Sequence, residues 1–181
     1  LDHTFWAAFP DFGNEGVASA LERCFQWAAN GESVSRDERV KVVSVEYARL
    51  FIGPPEPIVA PWETFYEREG VVSGFGEPTF RMRERLRQLD LVVSNENNQY
   101  EDHVGIELLY LSELCRRASE EPSGAAACDA AAPDAEEIAS FIREHPLAWV
   151  PRLREKVAAS QPEGYFIRLL DVALALLKRQ A

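Results

Sequence analysis

The sequence predicts an all-α protein, a single compact domain over residues 1–181 with about six to eight helices. Three observations carry this expectation. Apolar residues recur at helical spacing in segment after segment. Capping residues stand just ahead of those segments. No alternating run is long enough for a sheet, Val71-Val72 and Leu91-Val92-Val93 being too short. No internal repeat is visible. A chain of 181 residues buries about 70% of its unfolded surface, so a core needs neither disulfides nor metal.

Asn14 is placed to cap a helix over 15–29, in which Val17, Leu21, Cys24, Phe25 and Ala28 form one stripe and Asn30-Gly31 is the stop. Ser35-x-x-Glu38 is a capping box. It opens a helix to Phe51, with Val42, Val45, Tyr47, Ala48 and Phe51 expected inward. Four prolines within 53–61 break the helical pattern, and Pro61 suits the first turn of a short helix over 62–68. A loop over 70–76 leads to a helix over 77–91, with Phe80, Leu86 and Leu89 inward and its arginines outward. Asn98-x-x-Glu101 opens the most apolar helix, 99–119, containing Val104, Ile106, Leu108, Leu109, Leu111 and Leu114. Pro, Ser, Gly and an alanine run make 120–133 a flexible connector. Asp134 starts a helix to Glu144, His145-Pro146 interrupts it, and 147–159 continues, with Pro151 acceptable only in a first turn. The last helix, 162–180, carries Phe166, Leu169, Leu170, Ala173, Leu174 and Leu177.

Lys and Arg number 19 against 30 Asp and Glu, a net charge of −11. Such a balance excludes a general nucleic-acid binder and attachment to anionic lipid, both of which need basic residues. Between Glu96 and Glu137 eleven acids face only Arg116 and Arg117, whereas Arg81, Arg83, Arg85 and Arg87 oppose Glu84 alone just before it. Cys24, Cys115 and Cys128 are odd in number and lack C-x-x-C spacing, which suggests reduced thiols in a cytosolic protein rather than a disulfide framework or zinc site. No apolar run reaches membrane-spanning length. Leu1-Asp2-His3-Thr4 shows neither a signal-peptide pattern nor a starting Met, so residues are expected to precede it.

Signatures of nucleotide, hydrolase or zinc-protease sites are absent, and three histidines leave little room for a multi-histidine metal site. No cofactor and no catalytic residue are therefore expected. His3 falls at an end expected to fray. Two clusters remain. Gln99-Tyr100-Glu101-Asp102-His103 sits at the start of the apolar helix, where acids also complement the helix dipole. An Asp-His pair can shuttle protons, but helical neighbours point about 100° apart, so Asp102 is poorly placed to orient His103. Trp62, Glu63, Phe65 and Tyr66 follow the proline-rich loop. They either pack that loop onto the core or form an apolar recognition surface beside an acid.

Tyr47-x-x-Leu50-Phe51-x-Gly53-Pro54, then Pro61-Trp62-x-x-x-Tyr66, then Glu101-Asp102-His103 leading an apolar helix, resembles the TorD/DmsD family of bacterial molybdoenzyme chaperones. His145-Pro146-Leu147-x-Trp149-Val150-Pro151 extends the likeness, which spans roughly 46–150. The family's usual Glu-Pro-x-Asp-His motif reads Gln99-Tyr100-Glu101-Asp102-His103 here, so the Asp-His pair is kept and the Glu and Pro are not. The resemblance implies a cytoplasmic, non-enzymatic chaperone. Its partners would be the twin-arginine leader peptide and the apo catalytic subunit of a dimethyl sulfoxide reductase-type molybdoenzyme, held until the cofactor is inserted. It would be a monomer or an exchangeable dimer, with no nucleic acid and no stable membrane insertion. Glu101, Asp102 and Glu63 would then meet the arginines, and Trp62, Phe65 and Tyr66 the apolar stretch, with Tyr100 and His103 beside them. The alternatives are a NarJ-type assembly chaperone for a cytoplasm-facing reductase, an unrelated all-α protein-binding scaffold, or a small hydrolase using Asp102 and His103.

Overall fold

A computed structural model describes residues 2–53, 57–94, 99–119 and 133–181. The secondary structure of these residues is helical, with one isolated β-bridge and no strand among them. The expected connector over 120–133 and the Asn98 cap lie almost wholly outside the described residues.

The chain divides into two compact units, one formed by residues 1–60 and 150–179, the other by 61–149 with 180–181. In the first unit, Asp2 caps a short helix α1 (His3–Ala8) by accepting from the Thr4 N–H. This helix overturns the expectation of a frayed end: Trp6 is buried, and His3 Nδ1 lies 2.7 Å from Glu32 Oε1. Asn14 caps α2 (Glu15–Asn30) through the Val17 N–H. The predicted stripe of α2 is the core, with Val17, Ala20, Leu21, Cys24 and Ala28 joining Trp6 and Val172. Burial also pushes the Cys24 thiol up to about 11, so it behaves as a small apolar side chain.

The capping box opens α3 (Arg36–Tyr47), which widens into a π-helical segment, Ala48–Ile52, ending at Gly53 with φ of +45°. Here the expected inward face is wrong. Val42 and Val45 are exposed, while Glu46 and Leu50 are buried. Glu46 turns inward because its carboxylate accepts from the N–H groups of Tyr165 (2.8 Å) and Phe166 (3.0 Å), the open N-terminus of α9 (Tyr165–Gln180). Gly164 allows this approach, since a Cβ there would collide with the Glu46 carboxylate. Along α9, Ile167, Leu170, Val172, Leu174 and Leu177 are buried, whereas the expected Leu169 is not. Helix α8 (Pro146–Ser160) starts at a proline and carries Pro151 at its sixth position, not in a first turn. Pro151 therefore has no amide proton to offer the Leu147 carbonyl.

The second unit holds α4 (Thr64–Glu67), α5 (Glu77–Gln88), α6 (Val104–Ser119) and α7 (Ala135–Glu144), the last capped by Asp134. Met82, Leu86, Tyr110, Leu114 and Phe141 form its core. Phe80 is half-exposed and Leu109 largely exposed, against expectation. Helix α6 begins five residues later than its pattern predicts. The arginines of α5 are not simply solvent-facing either. Arg81 pairs with Glu63 and Glu67, Arg83 with Glu101, and Arg85 with Glu144. No described helix is long and apolar enough to cross a membrane.

Candidate functional site

Two chain segments run side by side in the second unit and bring the two predicted clusters together. The Glu63 N–H donates to the Asp102 carbonyl, and the Val104 N–H to the Pro61 carbonyl, each at 3.0 Å. The result is an antiparallel bridge between Trp62 and His103. This pairing takes up backbone groups that a helix would use, which is why residues 99–103 stay outside α6.

Asp102 locks the junction from below. It is fully buried, and its Oδ2 accepts from the Thr64 N–H (3.0 Å) and the Thr64 hydroxyl (2.7 Å) while its Oδ1 accepts from the Thr79 hydroxyl (3.0 Å). One carboxylate thus ties α4, α5 and the start of α6. Gly76 makes room for it, because a Cβ there would sit 2.7 Å from Thr64 Cγ2. Burial pushes the Asp102 carboxyl above the usual range, with the three hydrogen bonds pulling the other way.

His103 points differently. Its Nδ1 accepts from the Gly105 N–H at 3.0 Å, which places the proton of the neutral ring on Nε2. Among the described residues nothing accepts from that Nε2. The ring lies edge-on to Trp62, with centroids 5.7 Å apart. Burial lowers its pKa to about 4. The unfolded chain takes up a proton near pH 6.5, so stability owed to the neutral ring is full above that pH and is lost as pH falls towards 4, by at most about 3 kcal/mol. In urea melts at pH 7 and pH 4.5, His103→Gln is expected to lose less stability on acidification than the parent chain. Equal losses would show that His103 does not carry the effect.

Around His103 lies an aromatic surface. Trp62 packs on Phe65 (6.1 Å), and Phe75 packs on both Tyr100 (5.4 Å) and Phe80 (5.0 Å). Phe75, Phe80 and Tyr100 are all substantially exposed. Sequence reasoning missed Phe75 and Phe80. The Gly74-Phe75-Gly76 setting was the available signal, a large ring on a turn with no apolar period around it. Tyr66 is not on this surface; it is buried against Trp149 at 5.1 Å. Glu101 is paired to Arg83 at 2.7 and 3.0 Å. Partial burial would raise its carboxyl, but the Arg83 hydrogen bonds hold it below the usual carboxylate range. Near Gln99 an apolar groove of about 420 Å³ is lined by Leu91, Val92, Val93, Ile106 and Leu109.

Glu63 lies deeper than expected. Its Oε1 accepts from Arg81 at 3.0 Å, and its Oε2 faces His145 Nδ1 at 3.0 Å. Arg85 Nε donates to His145 Nε2 at 3.0 Å, so that nitrogen is an acceptor and the ring proton sits on Nδ1, aimed at Glu63. Glu107, fully buried, accepts from Trp149 Nε1 with both oxygens, at 3.2 and 3.0 Å. Burial first, and then the neighbouring Glu63, push its carboxyl well above the usual range, which favours its neutral form. Donor atoms of Glu63, Glu107 and His145 lie within 4.8 Å of one another, a spacing that suits a cation. With Arg85 fixing the tautomer, however, His145 presents a proton to that space and not a lone pair.

A family model described as the nitrate reductase delta subunit matches residues 14–155. The chain belongs to that family. Its relatives include the chaperone protein TorD of Aeromonas salmonicida, 31% identical over 78% of this chain and 61% of that protein. They also include TorD of Vibrio cholerae, 24% identical over 80% of this chain and 63% of the relative. The probable Tat proofreading chaperone DmsD of Haemophilus influenzae is 27% identical over 76% of this chain and 59% of its own length. The chain therefore spans less than two thirds of these relatives. No solved structure matches it. Family membership bears out the resemblance carried by the Trp62 and Asp102-His103 motifs and removes the alternative of an unrelated all-α scaffold.

Proposed function

We propose that the chain is a maturation chaperone for a molybdenum-dependent reductase and that it binds the twin-arginine leader of the apo-enzyme at the junction of residues 61–66 and 99–103. The observation that carries this reading is the meeting of three kinds of group on one exposed surface. These are the Glu101 carboxylate, the Nε2–H of His103, which no described residue accepts, and the rings of Trp62, Phe65, Phe75, Phe80 and Tyr100. A leader with two arginines followed by an apolar stretch needs these features. The carboxylate supplies bidentate recognition of a guanidinium, His103 a donor for a peptide carbonyl, and the rings apolar area at small entropic cost. Asp102 and Glu63 support the site from within by fixing the two segments, and Tyr66 does so by packing. Nothing in this set calls for turnover.

Calorimetry against leader peptides from the same genome tests the proposal. The parent chain is expected to bind an Arg-Arg peptide at least tenfold tighter than its Lys-Lys counterpart, and Trp62→Ala is expected to weaken binding tenfold or more. Absence of binding to any such leader would overturn the proposal. The family's description favours a second reading, an assembly chaperone that docks on the mature part of a nitrate reductase-type subunit. Equal binding of a client subunit with and without its leader would select that reading.

A further inference from the structure

The pairing of Arg83 with Glu101 joins a full-edge ion pair, of the kind Arg116 also makes with Glu113, to contacts with two aromatic rings. Arg83 presents one full edge of its guanidinium, Nε to Glu101 Oε1 at 2.7 Å and an NH2 nitrogen to Oε2 at 3.0 Å. Its Cζ also lies 5.9 Å from the Phe75 ring centroid and 5.8 Å from that of Phe80. The carboxylate side chain is only 18% exposed, whereas the arginine is 45% exposed. So the anion is the more buried partner, Phe75 and Phe80 lie beside it on the surface, and the cation is at the end of a flexible chain.

Resting on the leader-binding reading above, we propose that Glu101, Phe75 and Phe80 form a guanidinium seat which Arg83 occupies in the free chain and yields to an arginine of the bound peptide. Exchange of one guanidinium for another conserves the hydrogen bonds and the ring contacts. The seat therefore contributes selectivity more than affinity. A lysine cannot reproduce the two parallel N–H···O bonds, and would displace Arg83 at a loss. Because Arg83 is tethered, it competes at high effective concentration, and a peptide binds more weakly than the open seat would allow. The device rejects isolated basic side chains and admits a peptide whose remaining contacts offset the displacement.

The test is calorimetric titration of the parent chain, Arg83→Ala and the double variant Arg83→Ala/Glu101→Gln with an Arg-Arg leader peptide and its Lys-Lys counterpart. Melting temperatures check that each variant is folded. Arg83→Ala is expected to bind the Arg-Arg peptide about three- to tenfold tighter, with no gain for Lys-Lys and none in the double variant. Unchanged or weaker binding by Arg83→Ala, or an equal gain for Lys-Lys, would overturn the seat. If no protein binds the leader, the leader-binding reading falls and the seat is decided separately with a blocked Arg-Arg dipeptide followed by NMR. Shifts of the Phe75 and Phe80 ring signals in Arg83→Ala, absent in the double variant, support the seat, and their absence in both overturns it.

Discussion

Glu63→Gln is expected to destabilise the chain by about 1–3 kcal/mol, whereas the neighbouring Glu107→Gln should cost less than about 1 kcal/mol. The two glutamates differ in what they hold. Glu63 sits between Arg81 and His145, each 3.0 Å from one of its oxygens. An amide there leaves Arg81 with Glu67 as its remaining carboxylate and turns amide protons toward groups that donate. A buried donor left facing another donor is the costly change. Burial and the neighbouring Glu63 raise the Glu107 carboxyl well above its usual range and so favour its neutral form. A glutamine reproduces that neutral group, and its carbonyl can still accept from Trp149 Nε1. Urea unfolding at pH 7 reads both values. Similar losses in the two variants would show that the charge is shared and does not reside on Glu63.

Asp102→Ala is expected to cost about 2–4 kcal/mol and to abolish leader binding with it. The substitution removes the acceptor of three hydrogen bonds in a fully buried place. The Thr64 and Thr79 hydroxyls can turn to other partners, but the Thr64 N–H is fixed by the backbone and stays unsatisfied. Asp102→Asn keeps one acceptor oxygen and should fall between the two. Stability and binding should decline together across the series, because Asp102 acts by holding the segments that carry Trp62 and His103. Loss of binding with full stability in Asp102→Ala would mean that this carboxylate meets the peptide directly.

The sequence was most legible where local rules decide the outcome. The caps Asn14, Ser35-Glu38 and Asp134 stand where expected, and the α2 stripe is a core. It misled where a distant partner decides. Glu46 is buried because an α9 terminus 119 residues away needs its carboxylate, and no window around α3 contains that fact. Residues 99–103 look helical by composition, yet the backbone of Pro61–Glu63 claims their hydrogen bonds. At the candidate site the residue types picked out two clusters that the fold brings side by side. Depth was not readable. Asp102, Glu63 and Tyr66 are interior, whereas Phe75 and Phe80, read as loop and core, lie on the surface. Burial of a carboxylate depends on which donors gather around it, and here Thr64 and Thr79 come from two further elements.

The division of the chain also bears on the order of synthesis. The second unit is nearly continuous in sequence, 61–149, while the first is assembled from 1–60 and 150–179. On the ribosome, the segment carrying the whole candidate site is complete before the N-terminal helices have met their C-terminal partners. Glu46 waits more than a hundred residues for the α9 terminus that it caps. The unit that carries the candidate site can thus fold while the second half of the other unit is still to be made.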